Sequence, residues 1–384
     1  MPLAQDVPPP PTPVPPPAPL IVRAPRLLAT GLPIGVRGAG APPGARVSLQ
    51  VRTENGWSPV RRRTADAAGR VMFAYRPSRS RPRLRIRLAA PGALPSAART
   101  VRTRDVTLAA FGDANFGDGV QAVMLQRGNR WPWGGVAATL KAADIAFGNL
   151  ECSISTRGTP EVKEFTFRGS PGALREVVPY AGLDVLNLAN NHVGDYGTGA
   201  LLDTIRNVRS TGALAVGAGT DLTGARAPQV IERLGLKVAF VGFSDIGPTS
   251  FAATPDRPGT AFASPQAIRD GVREARRHAD VVIVTFHWGV ERDPRETARQ
   301  RGFAADAVSA GASAVIGAHP HVLQPIRRAG AKRLIAYSLG NFVWAAGSPA
   351  SSRTGILHVR LSANGVEGYH LQRARIVGTR PALG

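Results

Sequence analysis

The sequence predicts two domains of different class, a small all-β sandwich followed by a larger α/β domain. A chain of 384 residues is too long for one typical domain. Up to about residue 104, short apolar or alternating segments are cut by glycine and proline, whereas from Val106 onward buried-strand runs alternate with helical stretches. We therefore predict a Pro-rich linker or stalk over residues 1–19, the β-sandwich over 20–104 and the α/β domain over 105–384.

The N-terminal linker reads VPPPPTPVPPPAP over residues 7–19, a composition that favours polyproline II and cannot pack a core. The first residues, MPLAQDV, lack the basic and apolar regions of a signal peptide. We expect an extracellular or cell-envelope protein whose leader is absent from this sequence; the alternative is a cytoplasmic protein. No apolar run reaches the roughly 18 residues of a membrane span, so we expect no transmembrane segment in this chain.

The first domain is predicted to be an immunoglobulin-like sandwich, because about seven short segments with a strand pattern fit between turn signals such as GAGAPPGA and ENG. In one segment Arg83, Arg85 and Arg87 alternate with apolar residues, which is the period-2 pattern of a strand with one solvated face. This arginine row is interpreted either as a track for a linear polyanion or as an ordinary solvated face.

The positive charge is concentrated in the first domain. The chain carries a formal net charge of +22, and residues 1–104 hold 18 arginines against three acidic residues. The asymmetry indicates an anionic partner such as an envelope polymer, although an arginine-rich solvated surface gives the same composition. We expect no specific nucleic-acid partner because no nucleic-acid-binding module is recognisable. Cys152 is the only cysteine, which excludes an intrachain disulfide and a cysteine-based zinc site.

Polar side chains follow five predicted strands of the second domain. Ligands of α/β sheets gather at the carboxyl ends of strands, and four of the seven histidines lie at these positions. Imidazole and carboxylate suit zinc, iron or manganese, and a carboxylate can bridge two ions in a hydrolytic centre. The sequence therefore predicts a dinuclear metal centre built from the strand-end segments Gly112–Asn115, Gly148–Glu151, Asn190–His192, His287–Gly289 and His319–His321.

These segments, read as GDxN, GNLE, NNHxxD, HWGxE, GxHPH and SLGNF, together resemble the CapA family of the calcineurin-like metallophosphoesterase superfamily over roughly residues 105–345. The resemblance implies a four-layer αββα metallophosphoesterase sandwich with the metals on loops at one edge. It also implies a role in synthesis or anchoring of capsular poly-γ-glutamate. We expect a metal-dependent phosphoester hydrolase of capsule or cell-envelope polymer metabolism, acting on an anionic substrate. The alternative is a non-hydrolytic, polyanion-binding component of a poly-γ-glutamate or capsule assembly complex, with capsule-synthesis membrane proteins as partners.

The resemblance further implies two divalent transition-metal ions, manganese, iron or zinc. Asn115 departs from the wider superfamily, which has histidine at this position, so the first metal is expected to be held more weakly. The ligands implied are Asp113, Asn115 and His321 for the first ion, Glu151 as the bridge, and Asn191, His287 and His319 for the second ion.

The catalytic residue implied is His192, which would protonate the leaving oxygen, with Asp195 orienting it and raising its pKa. Asn149 is expected either to contact substrate or to orient ligands, and Arg168 either to clamp an anion or to lie on the surface. The residues assigned to substrate binding are Asn149, Arg168, Trp288, Glu291 and Asn341.

Overall fold

The protein is described by a computed structural model that covers residues 17–77 and 82–384, so most of the predicted Pro-rich linker lies outside the described residues. The chain divides into two compact units. The first contains the described residues up to Leu28 together with Pro33–Thr103, and the second contains Ala29–Leu32 and Arg104–Gly384. Five residues of the predicted first domain, Ala29–Leu32 and Arg104, therefore belong to the second unit, where the Ala29 amide donates to the Leu234 carbonyl and the Ala363 amide to the Thr30 carbonyl.

The first unit is all-β. Its strands are β1 (Ile21–Arg23), β2 (Leu27–Ala29), β3 (Ile34–Ala39), β4 (Arg46–Thr53), β5 (Gly56–Thr64), β6 (Val71–Tyr75), β7 (Arg83–Ala89) and β8 (Arg99–Arg104). They form a three-stranded sheet in the order β1-β3-β6 and a five-stranded sheet in the order β2-β8-β7-β4-β5. Inward residues of both sheets, such as Val36, Leu49 and Ile86, share one core. Assignment to the immunoglobulin-like class stays a prediction.

The arginine row lies on β7, where the arginines alternate with buried apolar residues as predicted. Arg83 and Arg85 are exposed, whereas Arg87 is half-buried. The Arg87 guanidinium donates to Gln50 Oε1 at 2.7 Å and lies 4.6 Å from the Trp57 ring centroid. One member of the row is therefore engaged within the unit, and the other two guanidinium groups make no such contact with the described residues.

The second unit contains the remaining strands and all the described α-helices. The strands are β9 (Val106–Ala114), β10 (Ile145–Leu150), β11 (Ser153–Ile154), β12 (Arg168–Gly169), β13 (Val185–Asn187), β14 (Leu214–Val216), β15 (Ala218–Gly219), β16 (Gln229–Arg233), β17 (Leu236–Ser244), β18 (Gly259–Thr260), β19 (Val281–His287), β20 (Ala314–Ala318), β21 (Ile326–Arg328), β22 (Leu334–Ala336), β23 (Asn341–Val343), β24 (Arg353–Ser362), β25 (Gly365–Val377) and β26 (Arg380–Leu383). The helices are α1 (Asp118–Arg127), α2 (Ala137–Ala142), α3 (Pro171–Ala181), α4 (Gly197–Ser210), α5 (Leu222–Arg226), α6 (Pro265–His278) and α7 (Ala298–Ala310).

Two large sheets form the centre of this unit. One has the order β14-β13-β10-β9-β24-β25-β26, with β23 also pairing β9, and the other has the order β16-β17-β19-β20-β22-β21. Apolar side chains such as Phe147 and Phe240 fill the space between the sheets. Helices α1 to α4 cover one sheet and α6 and α7 cover the other, which produces four layers. The predicted α/β class is confirmed, and none of the described helices combines the length and apolar character of a membrane span.

Parallel neighbours bring the strand ends together. β9, β10 and β13 run parallel in one sheet, as do β17, β19 and β20 in the other, so their carboxyl ends lie at common edges. Two glycines permit close packing behind these ends. A Cβ atom on Gly148 would lie 1.9 Å from the Phe111 ring, and one on Gly317 would lie 2.1 Å from the Tyr337 carbonyl oxygen. The absence of side chains there lets the site-bearing strands approach their neighbours.

Candidate metal centre

Asn149, on β10, is the centre of a buried hydrogen-bond network. Its Nδ2 donates to Asp113 Oδ1 at 2.9 Å and to Glu151 Oε2 at 3.3 Å. Its Oδ1 accepts from Asn187 Nδ2 at 2.9 Å and from Asn190 Nδ2 at 3.3 Å. The side chain is 2% exposed, so these contacts favour the interpretation that Asn149 orients ligands rather than touching substrate.

The second carboxylate oxygen of Glu151 faces a set of imidazoles. Oε1 is buried and, among the described residues, accepts no hydrogen bond. It lies 3.4 Å from His287 Nε2, 3.8 Å from His321 Nε2 and 3.9 Å from His192 Nε2. Burial and the neighbouring charge of Asp113 raise the pKa of the Glu151 carboxyl well above its usual range. A buried oxygen without a donor, facing several ring nitrogens, fits a cation that would satisfy the oxygen and keep the carboxylate ionised.

We call Glu151, His287, His319 and Asn191 the buried group. Ligand atoms of Glu151, His287 and His319 all lie within 4.8 Å of one another, and all three residues are buried. His287 Nε2 lies 2.7 Å from Asn191 Oδ1 and 3.2 Å from His319 Nδ1. Burial lowers the pKa of His287 strongly and that of His319 to about 3, so both rings are neutral at physiological pH. Neutral imidazole is the form that binds a metal.

We call Asp113, Glu151, His321 and Glu291 the open group. Ligand atoms of Asp113, Glu151 and His321 cluster within 4.8 Å, and Glu291 clusters in the same way with His319 and His321. Glu291 is exposed. Burial alone would lower the pKa of His321, but the hydrogen bond and charge of Asp113 outweigh it and raise that pKa. Glu291, predicted to contact substrate, is therefore equally placed to ligate a cation.

Asn341, also assigned to substrate, instead holds His321. The His321 Nδ1 donates to Asn341 Oδ1 at 2.8 Å and lies 3.3 Å from Asp113 Oδ2. The other ring nitrogen, Nε2, lies 3.8 Å from Glu151 Oε1. Asn341 is 1% exposed, and its own amide donates to the Ser351 carbonyl at 3.2 Å. Its position fixes the orientation of a candidate metal ligand, as residues behind metal-binding histidines usually do.

The loop after β20 presents its two histidines in a strained backbone conformation. His319 has φ 95° and His321 has φ 58°, values that residues with a Cβ seldom adopt. The loop is held because the His319 amide donates to Asp113 Oδ2 at 3.2 Å and the Arg292 amide donates to the Pro320 carbonyl at 2.8 Å. Such conformations cluster at functional sites, where the surrounding structure holds them in place.

His192 forms a buried pair with Asp195. Its Nδ1 lies 2.7 Å from Asp195 Oδ2, so a proton on Nδ1 donates to the carboxylate and Nε2 is left to face the Glu151 side of the cluster. Burial lowers the pKa of His192, and the hydrogen bond that its ring donates to Asp195 partly opposes that shift. The structure therefore brings the two predicted catalytic residues together at the edge of both ligand groups.

Lys163 completes this pair and was not predicted. Its Nζ lies 2.5 Å from Asp195 Oδ1 and donates to the Asn191 carbonyl at 2.7 Å. The Phe167 amide donates to Asp195 Oδ2 at 2.7 Å, so Asp195 anchors the segment that carries both residues. Lys163 lies in a short polar run, EVKEF, whose spacing carries no motif, so the sequence offered no signal for it.

An aromatic wall borders the cluster and was also not predicted. The Phe167 ring lies 4.4 Å from the His192 ring, and the Trp344 ring lies 4.8 Å from the His321 ring. Phe167 and Trp344 pack edge to face at 5.4 Å. Trp344 follows the SLGNF motif by two residues, and this proximity was the one available signal.

Two further predicted residues have other roles. Asn115 was expected to ligate the first ion, but its Oδ1 accepts from the Gly117 amide at 2.7 Å and forms the turn after β9. Trp288 was expected to line the substrate pocket, but it is fully buried. Its ring stacks on Phe286 at 4.2 Å and its Nε1 donates to the Tyr337 carbonyl at 2.8 Å, so it is a core residue.

Arg168, the predicted anion clamp, contacts Tyr196 and Gly158 instead. Its guanidinium lies 4.3 Å from the Tyr196 ring centroid, and its Nη1 donates weakly to the Gly158 carbonyl at 3.4 Å. Stacking of this kind holds a guanidinium in one orientation. Those contacts favour a structural role over the predicted anion clamp.

Comparison with known proteins identifies a family and close relatives. The family model described as bacterial capsule synthesis protein PGA_cap matches residues 107–346. The PGA biosynthesis protein CapA of Bacillus subtilis is 33% identical over 285 residues, covering 72% of this chain and 74% of that protein. The capsule biosynthesis protein CapA of Bacillus anthracis is 31% identical over 269 residues, covering 68% of this chain and 65% of that protein.

Among solved structures, the NAD nucleotidase NadN of Haemophilus influenzae aligns with 73% of this chain and 60% of its own, at 10% identity and a TM-score of 0.43. This likeness is too distant to bear on fold or activity. The matched region of the family model contains every residue of both ligand groups and the His192–Asp195 pair.

Proposed function

Because the chain belongs to the bacterial capsule synthesis protein (PGA_cap) family, we propose that it is a metal-dependent phosphoester hydrolase of capsule or cell-envelope polymer metabolism. The observation that carries the proposal is the Glu151 Oε1 atom, buried without a donor in the described part of the chain and faced by the His287, His321 and His192 ring nitrogens. Carboxylate and imidazole together suit manganese, iron or zinc. Two such ions are proposed, one for each ligand group.

The chain's own residues supply orientation and a proton. Bound divalent ions polarise a phosphoryl oxygen and make water more acidic. His192 Nε2 points toward the cluster and is the proposed donor of a proton to the leaving oxygen. Asp195 fixes the ring through Nδ1, so that Nε2 rather than Nδ1 faces the reaction.

Lys163 and Phe167 keep this pair in place. The Lys163 ammonium compensates the buried Asp195 carboxylate, and the Phe167 amide donates to the same side chain. The Phe167 ring lies against His192 and limits access of water to it. An anionic substrate entering beside Glu291 would meet the cluster from its exposed side.

The proposed setting is the cell envelope, with an anionic envelope polymer or its precursor as substrate and capsule-synthesis membrane proteins as partners. The alternative function is a non-hydrolytic component of a capsule assembly complex that uses the metal centre to hold carboxylates. The same donor set supports that function, because divalent ions bind carboxylate oxygens as well as phosphoryl oxygens.

The test is a reconstitution experiment on the full chain. The protein is stripped with a chelator, reloaded separately with manganese, iron or zinc, and assayed against phosphomonoesters, phosphodiesters and poly-γ-glutamate. We expect metal-dependent turnover of a phosphoester that is abolished in Glu151→Gln. Trp288→Phe is a matched control that alters the neighbouring core without touching the cluster.

Two outcomes would contradict the proposal. Folded protein that takes up no transition metal after reconstitution excludes the metal centre itself. Metal uptake with tight binding of poly-γ-glutamate, but no turnover of any phosphoester, excludes the hydrolase and supports the assembly component.

A further inference from the structure

The first unit carries a groove on the outer face of its three-stranded sheet. The groove has a volume of about 840 Å³ and is independent of the metal centre and of any hydrolytic activity. Arginines form much of its boundary and small or apolar residues form its floor. The residues that matter to the argument are Arg23, Arg37, Arg63, Gly35, Met72 and Ala74.

Strand register explains why the groove is there. Arg37 pairs with Arg23 on one side and with Met72 on the other, so the three side chains form a row on one face. The next row on that face contains Gly35 opposite Ala74, which are both small. A Cβ atom on Gly35 would meet no atom within 4 Å, so the space above this row is open. The open part of the groove therefore lies directly beside the guanidinium groups of Arg23 and Arg37.

The positive charge along the groove is not neutralised within the described residues. Arg70 pairs with Asp66 at 3.2 Å, which compensates one guanidinium. Arg23, Arg37 and Arg63 are exposed, and no ion pair with an acidic side chain involves any of them in residues 17–77 and 82–384. Three uncompensated guanidinium groups around one groove favour a ligand with several anionic groups, each held by paired N–H donors.

The floor distinguishes among polyanions. Met72 is 64% exposed, and with Ala74 it offers aliphatic surface. The one aromatic residue that borders the groove among the described residues, Phe73, is 2% exposed and is turned into the core. Single-stranded nucleic acids bind through bases stacked on exposed aromatic rings, and this floor provides none. An aliphatic backbone fits the floor better than a nucleobase does.

Resting the choice of anion on the proposed function in envelope polymer metabolism, we propose that this groove binds a linear polymer that carries carboxylates along an aliphatic backbone. Its concave shape and small-residue floor distinguish it from the arginine row on β7, which lies on the other sheet and has Arg87 engaged with Gln50 and Trp57. The β7 face therefore supplies a control of equal charge. Arg83 pairs with Arg102 across β7 and β8, so Arg83, Arg85 and Arg102 are three exposed arginines on one face.

The experiment measures binding of fluorescently labelled poly-γ-glutamate to the full chain at low salt, with a chelator present to empty the metal centre. The groove variant carries Arg23→Gln, Arg37→Gln and Arg63→Gln, and the control carries Arg83→Gln, Arg85→Gln and Arg102→Gln. We expect the groove variant to bind roughly tenfold more weakly, as three exposed charge contacts imply, and the control to change by less than about threefold.

A separate variant tests shape without changing charge. Gly35→Leu fills the open part of the groove, and because its φ is ordinary and its surroundings are open, the unit should keep its circular dichroism spectrum and melting temperature. We expect it to weaken binding about as much as the arginine variant. Equal losses in both arginine variants, no effect of Gly35→Leu, or a single-stranded oligonucleotide that competes as well as unlabelled poly-γ-glutamate would each overturn the proposal.

Discussion

The buried group and the open group of the candidate metal centre share Glu151 but hold their imidazoles in opposite electrostatic states. In the buried group, desolvation lowers the pKa of His287 and His319, so their lone pairs are available to a cation across the physiological range. In the open group, the Asp113 carboxylate raises the pKa of His321, and a proton competes with the cation there. The difference teaches that the same ligand type binds with different pH sensitivity when burial dominates at one position and a carboxylate at the other.

The largest expected effect comes from removing the residue that the two groups share. Glu151→Gln should weaken both ions by more than about 100-fold, since even loss of a residue behind a ligand costs about 10–100-fold in affinity. His321→Ala should weaken chiefly the ion of the open group. Elemental analysis and chelator competition measure both. If Glu151→Gln releases one ion and retains the other unchanged, Glu151 does not bridge the groups.

The next effect separates the role of the proposed proton donor, His192, from metal binding by the two groups. His192→Ala should retain the metals yet lose about 10²–10⁴ in turnover of phosphoesters with poor leaving groups. Esters with good leaving groups need less protonation and should lose less. Steady-state kinetics on a series of aryl phosphates, beside metal analysis of the same samples, provides the measurement. Equal losses along the series would assign His192 to holding Asn191 rather than to proton transfer.

Lowering the pH should release the ions of the two groups at different pH values. A ligand whose pKa is raised becomes protonated at a higher pH than one whose pKa is lowered, and protonation expels the metal. As pH falls, the His321 ion should therefore leave first, with its affinity falling about tenfold per pH unit below that pKa. Protonation of the shared Glu151, whose pKa is raised, weakens both ions alike, so the imidazoles set the order. The buried-group ion should persist longer, because the pKa of His319 is lowered to about 3. Metal content measured across a pH series would contradict this ordering if both ions left together.

The smallest effect concerns the segment that covers the His192–Asp195 pair. Lys163→Met removes the ammonium beside Asp195 and should reduce turnover of poor leaving groups by about tenfold, the lower range for residues that orient a functional group. Lys163→Arg, which keeps the charge, should restore much of it. Metal content should stay unchanged in both variants. Equal loss for good and poor leaving groups would show that Lys163 supports the fold of the loop rather than the proton donor.

The clustering of the candidate metal ligands was predictable because each lies in a short motif at the end of a strand. Asp113, Glu151, His287 and His319 follow or end apolar runs, and parallel pairing brings such positions to a common edge whatever the details of packing. The α/β class followed from the same alternation of buried strands and helical stretches. These inferences need only local sequence and the direction of the chain.

The roles of the asparagines and of Trp288 were not predictable in this way. Asn115 and Asn149 both stand in strand-end motifs, yet one forms a turn with Gly117 and the other joins Asp113 to Glu151. His287 and Trp288 are consecutive, and because side chains alternate across a strand, one reaches the cluster and the other enters the helix-covered core. A shift of one residue would exchange them, and composition does not reveal which face is which.

The sequence by itself determined the class of the second unit, the order of its ligand motifs and the family, because these depend on residues close together in the chain. Only the tertiary structure decided that Lys163 meets Asp195, that Asn341 holds His321 and that small residues open a groove beside Arg23 and Arg37. Each of those contacts joins segments whose separation along the chain follows no period. They are fixed by how strands pair and loops fold back, which is a property of the packed chain and not of any local pattern.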